Sequence, residues 1–469
     1  MAIPSREMQA WIGDLLGANP DETHKPLGVF LAAIPRLESL ADLPAGTSVL
    51  VRGDVDCKPG PNVGDGDVRL RSMQETLQFG RDRGWKQIVF GHVGRKPEGT
   101  LAIVRQRLAE ILGSPVAFFA DWLDEATLTV SDKLAAGIEK SPPGSIILLE
   151  NTRKYEIERL LWNVQPDDAG KLAGPLAQFA NQMADKIAHI YIHEALSAGS
   201  LDSSSVVAPA AMDRVALGKY AAAEFEGPMM RCREATLVVF SGLKTDKLDD
   251  LQAIIDRGKV RWVFAAGSLA MALRKADAQL DGRDFCLGVA ENPRFETEPW
   301  YIPGDRVEQA SQMLLAGRAK EIEFVLPVDS VLQDGRVAEE LRPHDQQFDI
   351  GPETSAMFER KVGEYIAAVT SEPRLHAVAF HNGVFGKFEE ARFAEGTKRF
   401  VPQLKRMKDA GVEVYVGGGE GGAALEKYGD ENWVTHNFTA GGTVLNVLGS
   451  QPVPYLLALD MAVRSKVQI

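Results

Sequence analysis

A chain of 469 residues, with 45% apolar and 25% charged side chains, exceeds what one hydrophobic core usually supports, so two globular domains are expected and not a disordered chain. The formal net charge of −13 argues against nucleic acid and anionic membrane surfaces as partners, because both need a basic footprint. The three cysteines, Cys57, Cys232 and Cys286, lie far apart without C-x-x-C spacing, which argues against a disulfide framework or zinc site and for a reducing, cytoplasmic setting.

The first residues mix Asp and Glu into a short amphipathic helix, unlike acid-poor transit peptides, and residues 1–45 read as an added structural segment. No apolar stretch approaches the roughly 20 residues that a membrane span needs. From 46 to 218 the apolar runs SVLV, QIVF, VAFF, SIILL and HIYIH alternate with helical stretches such as LRSMQETLQFGRDRG and KLAGPLAQFANQMA. This is the pattern of β-α-β units around a parallel sheet. Residues 219–234, within KYAAAEFEGPMMRCREA, predict a linking helix. A second α/β series occupies 235–448, with the runs TLVVF, RWVFAAG, EFVLPVD, HAVAFHNG and VEVYVGGG. Residues 449–469 are expected to return to the N-terminal domain.

Four basic residues, Arg69, His92, Arg95 and Arg153, sit just past a strand-like run or at the helix start that follows one. In an open parallel sheet such positions converge on the carboxyl ends of the strands, where ligands bind. Arginine forks match phosphate and carboxylate oxygens, so an anion pocket is expected. The alternatives are solvated first-turn residues for Arg69, a satisfied loop histidine for His92, and ion pairs with Asp or Glu for Arg95 and Arg153. A cation at a helix N-terminus opposes the dipole and asks for an anion, which favours the site reading of Arg69.

The second informative stretch is VEVYVGGGEGGAALEKY, where Gly417, Gly418 and Gly419 join a strand to a helix. Glycines there let backbone N–H groups approach a phosphate at the helix N-terminus. The spacing also satisfies G-x-G-x-x-G, but no acidic residue follows about 20 positions on, as the dinucleotide fingerprint requires. Glu420 either serves the site or complements the helix dipole. His193 and His381 read as core or rim histidines.

Taken in order, these stretches resemble the phosphoglycerate kinase family from about residue 46 to the C-terminus. The matching motifs are Arg52, Asp54 and Asp56 in RGDVD, Asp67 and Arg69 in DVR, His92 and Arg95 in GHVGRKP, and Glu150, Asn151 and Arg153 in LENTRK. In the second half they are Asp329 in LPVD, Asp349 and Thr354 in DIGPET, and Thr397 in AEGT. The resemblance implies two Rossmann-like domains, each a parallel sheet flanked by helices, joined by a linking helix with an interdomain cleft. It also implies reversible phosphate transfer between ATP and the carboxylate of 3-phosphoglycerate, with Mg²⁺ accompanying ATP or ADP. A monomer in the cytoplasm is expected, acting in glycolysis on a small phosphorylated acid.

By the same resemblance Arg69 stabilises the transferring group, while His92, Arg95 and Arg153 grip the substrate phosphate, and Asp54 and Asp56 orient the glycerate. Lys244 and Lys247 meet the nucleotide phosphates, with backbone N–H groups at Gly419 and Gly442 completing the catalytic set. Gly267, Asn382, Glu389, Gly417, Gly418 and Glu420 belong to the nucleotide site, and Glu420 is the metal-side carboxylate.

The chain also departs from the family. A segment carrying one arginine and two histidines is replaced by Ser200, Leu201, Asp202 and Ser203, and a family asparagine by Asp56. The family's metal-side Asp is Glu420, and the loop carrying Lys247 is one residue shorter. These changes keep two alternatives open: an acyl-phosphate kinase for a different acid, and a nucleotide-binding paralogue with weakened catalysis.

Overall fold

A computed structural model describes residues 2–64, 66–244, 246–372 and 375–467. The chain forms two compact units, one comprising the residues up to Gly227 together with the segment from Pro452 onward, the other running from Pro228 to Gln451. Each unit is an α/β layer structure around a six-stranded, wholly parallel sheet.

In the N-terminal unit the strand order is Val116–Phe119, Ile146–Leu149, Lys86–Phe90, Ser48–Arg52, Ile190–His193 and Arg214–Leu217. The central strands read as continuous apolar runs because helices cover both faces, so alternation is lost and nearly every residue is buried. Val49, Val51, Val89, Leu148 and Ile192 join Leu77 and Leu108 of the covering helices in one core. The sixth strand, Arg214–Leu217, was not among the expected runs. The N-terminal helix Ser5–Leu15 buries Met8 and Ile12, and Trp11 Nε1 donates 2.8 Å to the carbonyl of Val206.

The stretch expected as a linking helix is helical from Lys219 to Cys232, made of a helix Lys219–Glu224, a π-helical turn Phe225–Met229 and a short helix Met230–Cys232. Pro228 cannot donate to the helical ladder and its ring crowds the preceding turn, which widens the winding at this point. The division between the two units falls beside it.

In the C-terminal unit the order is Glu323–Val325, Trp262–Ala266, Leu237–Gly242, Val378–Asn382, Glu413–Gly417 and His436–Phe438. Val239, Phe264, Phe358, Phe400 and Val416 lie in its core. A three-stranded antiparallel sheet, Ser330–Leu332, Val337–Ala338 and Gln347–Ile350, was not foreseen because strands of two to four residues carry little periodicity. In both units the first strand of the sheet lies between neighbours on opposite sides of the chain order, which is the switch point where such sheets receive ligands.

Candidate active site

At the switch point of the N-terminal unit, the loops after Arg52, Phe90, Leu149 and His193 bring together most of the expected residues. Arg52 ends its strand fully buried. Its Nε donates to Ser205 Oγ at 2.8 Å and its Nη1 to the carbonyl of Gly53 at 2.9 Å. Its Nη2 lies 2.7 Å from His92 Nδ1. A guanidinium can only donate, so Nδ1 must accept, and His92 is a neutral imidazole with its proton on Nε2. Burial, with the charges of Arg52, Arg153 and Arg69, accordingly holds its pKa well below the ordinary value. Nε2 faces Asp56 Oδ2 at 3.8 Å.

Arg153 sits in the short turn Thr152–Lys154, with Nη1 donating to the carbonyl of Gly94 at 2.7 Å and its guanidinium 4.8 Å from the centre of the Trp162 ring. Its remaining donors go mainly to Asp202, with Ser200 Oγ also accepting from Nη2 at 3.4 Å. Arg153 Nη2 donates to Asp202 Oδ2 at 3.0 Å and Oδ1 at 3.2 Å, and Trp162 Nε1 donates to Oδ1 at 2.9 Å. Arg52 Nη2 stands 3.5 Å from Oδ2. Asp202 is fully buried, so the expected anion pocket already contains a carboxylate of the chain.

Arg69, in the helix Val68–Ser72, is only partly covered. Nη1 donates to Asp56 Oδ2 at 3.0 Å and also to the carbonyl of Asp56, and Nε lies 3.8 Å from Asp54 Oδ1. Asp56 in turn accepts from the N–H of Gly94 at 2.8 Å. Asp54 is fully buried and receives Ser197 Oγ at 2.6 Å. Burial pushes its pKa up, against the lowering pull of Arg69. Arg95 is exposed and joins no ion pair with another described residue.

In the C-terminal unit a cavity of about 500 Å³ opens at the corresponding end of the sheet. Gly242 and Gly267 form part of its floor, and Glu389 and Glu420 stand on it as exposed carboxylates. Its walls combine apolar Met271, Leu287, Phe295, Trp300, Ile302 and Phe348 with polar Glu298, Gln346, Gln347 and Lys387. Such walls, with a few polar groups, suit a flat aromatic ring carrying a charged tail. Gly267 has a φ of +69°, and a Cβ there would meet the carbonyl oxygen of Gly242 at 2.6 Å, so both backbones approach as only glycine allows.

Two helices begin beside each other near this cavity, Gly419–Tyr428 and Gly441–Leu448. A Cβ on Gly441 would lie 2.6 Å from Gly418 Cα, so the paired helix starts depend on a missing side chain. Unpaired N–H groups at both starts, including those of Gly419 and Gly442, favour an anion. Asn382 locks the loop by donating 2.8 Å to the carbonyl of Gly417, and its Oδ1 accepts from Lys247 Nζ at 3.3 Å. Lys247 opens the helix Lys247–Asp256 and lies 3.7 Å from Asp250. Lys244 is exposed and makes no ion pair with another described residue.

The remaining family-like motifs are structural staples. Asp329 accepts from Thr354 N at 2.8 Å and Thr354 Oγ1 at 2.6 Å, fixing the start of the helix Pro352–Ser371. Asp349 accepts from Gly396 N at 2.9 Å and is pushed up to about 7 by burial.

A family model described as phosphoglycerate kinase matches residues 40–451. The chain belongs to the phosphoglycerate kinase family. It is 28% identical to the phosphoglycerate kinase of Synechococcus sp. (strain JA-2-3B'a(2-13)), across 89% of this chain and 96% of that one. Against the cytosolic phosphoglycerate kinase of Triticum aestivum it is 26% identical, across 90% of this chain and 97% of that one. The crystal structure of the enzyme from Pyrococcus horikoshii OT3 matches with a TM-score of 0.70 at 21% identity, covering 92% of this chain and all of that one, a likeness of fold. Family membership makes the chain a kinase of the two-sheet α/β class expected from its sequence, and enzymes of this family use ATP or ADP with a divalent metal.

Sequence reasoning left three groups without a role. Arg52 has no role in the sequence reading beyond its place in the RGDVD motif; an arginine closing a buried apolar strand demands an anion, and that demand is the available signal. In the sequence Asp202 is one residue of a substituted segment, and nothing local marks it as the anion that meets Arg52 and Arg153. The cavity walls from Leu287 to Ile302 lie on aperiodic loops and short turns, where apolar residues give no pattern to read.

Proposed function

We propose that this chain transfers phosphate reversibly between ATP and the carboxylate of 3-phosphoglycerate, with the acid held by the N-terminal unit and the nucleotide by the C-terminal unit. What carries the reading is the presence in one family-typical chain of an arginine mouth at one sheet and a glycine-floored cavity beside two helix starts at the other. Phosphoryl transfer asks the protein mainly for positioning and for positive charge around the transferring group.

In this reading Arg69, more accessible than Arg52, His92 or Arg153, faces the transferring group, and Asp54 and Asp56 hold its guanidinium while orienting the acid. His92, Arg95 and Arg153 face the far end of the acid. Lys244, Lys247 and the N–H groups of Gly419 and Gly442 receive the nucleotide phosphates, and Gly417 and Gly418 shape that turn with Asn382. Gly267 lies under the base and Glu389 beside the ribose. No group of three or more His, Cys, Asp or Glu side chains is gathered for a metal among the described residues. Mg²⁺ is usually held by one or two carboxylates plus substrate phosphates, and Glu420 on the cavity rim fits that role. When bound with ATP it neutralises phosphate charge. Cys57, Cys232 and Cys286 are all free, and no described helix is long and apolar enough to cross a membrane. With the cytosolic wheat relative, these features support a cytoplasmic setting.

ADP release coupled to a dehydrogenase, with 3-phosphoglycerate and Mg-ATP as substrates, tests the reading. Saturable turnover is expected; its absence at millimolar concentrations of both would leave the phosphoglycerate assignment without support.

A further inference from the structure

The N-terminal unit has an electrostatic peculiarity that its reaction does not require. Arg52 and Arg153 are almost completely buried, and buried guanidinium groups need an anion. A pocket built for a phosphate would leave that need for the ligand to meet. Here Asp202 meets it from inside. Its two oxygens take Arg153 Nη2 at 3.2 and 3.0 Å, Arg153 Nε at 3.4 Å and Trp162 Nε1 at 2.9 Å, and Oδ2 lies 3.5 Å from Arg52 Nη2. His92 Nδ1 lies 3.4 Å from the same oxygen. Because Nδ1 accepts from Arg52, that contact is a neighbourhood and not an ion pair.

The backbone fixes the carboxylate in place. The carbonyl of Asp202 accepts from the N–H groups of Ser205 at 2.8 Å and Val206 at 3.0 Å, which begins the turn Ser203–Val206. Ser204 is tied to Glu158 through its N–H at 2.7 Å and its hydroxyl at 2.6 Å, and Ser205 Oγ accepts from Arg52. The run of small serines lets this turn sit directly against the arginines, where larger side chains would hold it away.

We infer that Asp202 is a specificity-determining residue, a tethered anion seated between Arg52 and Arg153 that a phosphate group of the acid substrate must displace to reach them. The inference rests on the proposed transfer to a phosphorylated acid and adds which residue sets the affinity for its phosphate. Like charges cannot share the two guanidinium groups, so each phosphate bound there releases one carboxylate from its partners. Exchange of this kind keeps the arginines ordered in the empty protein and lowers affinity for the phosphate end of the acid. Affinity for ATP, which is received by the other unit, is unaffected.

The test compares the full-length protein with Asp202→Asn, which keeps the shape and the hydrogen bond from Trp162 while removing the charge. The expected result is a KM for 3-phosphoglycerate lowered about tenfold or more, a change worth roughly 1.4 kcal/mol, with the KM for ATP unchanged. A KM for the acid that stays the same or rises would overturn the inference. Removing the charge leaves two buried arginines without an anionic partner, so the variant risks misfolding. A second measurement therefore uses the unaltered protein: thermal unfolding with inorganic phosphate or sulfate added to about ten millimolar, roughly tenfold above the top of the usual KM range for enzyme substrates. No shift is expected, because the cation pair is already filled. A clear rise in Tm that Arg153→Gln abolishes would show the cluster open to anions and refute the inference. If neither protein turns over 3-phosphoglycerate, the proposed reaction falls, while the response to inorganic phosphate still decides the role of Asp202.

Discussion

In the N-terminal unit the cations that face the expected acid are held by carboxylates of the chain, Arg153 by Asp202 and Arg69 by Asp56. In the C-terminal unit the donors are backbone N–H groups at two helix starts, with Lys244 exposed and Lys247 turned onto Asn382. On the proposed reading the first surface would bind an anion by exchanging partners, the second by adding one. Charge changes should therefore govern the acid site, and backbone geometry should govern the nucleotide site.

The largest effect that would break this contrast is at Arg69. Arg69→Ala is expected to lower kcat/KM by about a hundredfold to a thousandfold, the range for losing one donor aimed at developing charge. Because Arg69 is partly exposed and paired at the surface, Tm should change little. Steady-state kinetics beside a melting curve checks both halves, and an unchanged rate would remove Arg69 from the site.

On the nucleotide side, Gly441→Ala places a Cβ 2.6 Å from the Cα of Gly418 and forces the two helix starts apart. A weakening of ATP binding of about tenfold is expected, as for a displaced charge-assisted hydrogen bond, with acid binding intact. ATP titration by calorimetry reads it; equal losses for both ligands would mean that the geometry is shared and not local to one unit.

The smallest effect is on stability. His381 is fully buried, stacks on Phe400 at 5.5 Å, and is pushed down to about 4 by burial. A depressed histidine favours the fold fully above the unfolded value near 6.5, and that contribution drains away as pH falls from there toward 4. Relative to His381→Phe, the wild-type chain should lose up to about 1.4 kcal/mol per pH unit across this window. Urea unfolding of both proteins at pH 7 and pH 5 measures it, and parallel pH profiles would contradict the assignment. Carboxyl groups pushed upward by burial, such as Glu158 and Asp349 at about 7, act in the opposite direction, so the comparison between variants matters more than the absolute profile.

Most of the architecture was legible because buried parallel strands announce themselves as apolar runs and the covering helices by their period. What escaped were Arg214–Leu217, the short antiparallel strands between Ser330 and Ile350, and the π-helical turn at Pro228. At the candidate site, residues announced by strand ends and glycine turns lie where the pattern placed them, including Arg69, His92, Arg153 and Asn382. Arg95 remains outside the ion-pair cluster. Pairing was the illegible part. Asp202 follows Arg153 by 49 positions, and nothing local in the sequence says that one neutralises the other.

Hydroxylamine trapping tests the central claim most directly, since a phosphorylated carboxylate is captured as a hydroxamate before it can return its phosphate. With Mg-ATP and 3-phosphoglycerate, hydroxamate should accumulate in step with ADP and disappear in Arg69→Ala. ADP formed without hydroxamate, or no ADP at all, would contradict transfer to the carboxylate.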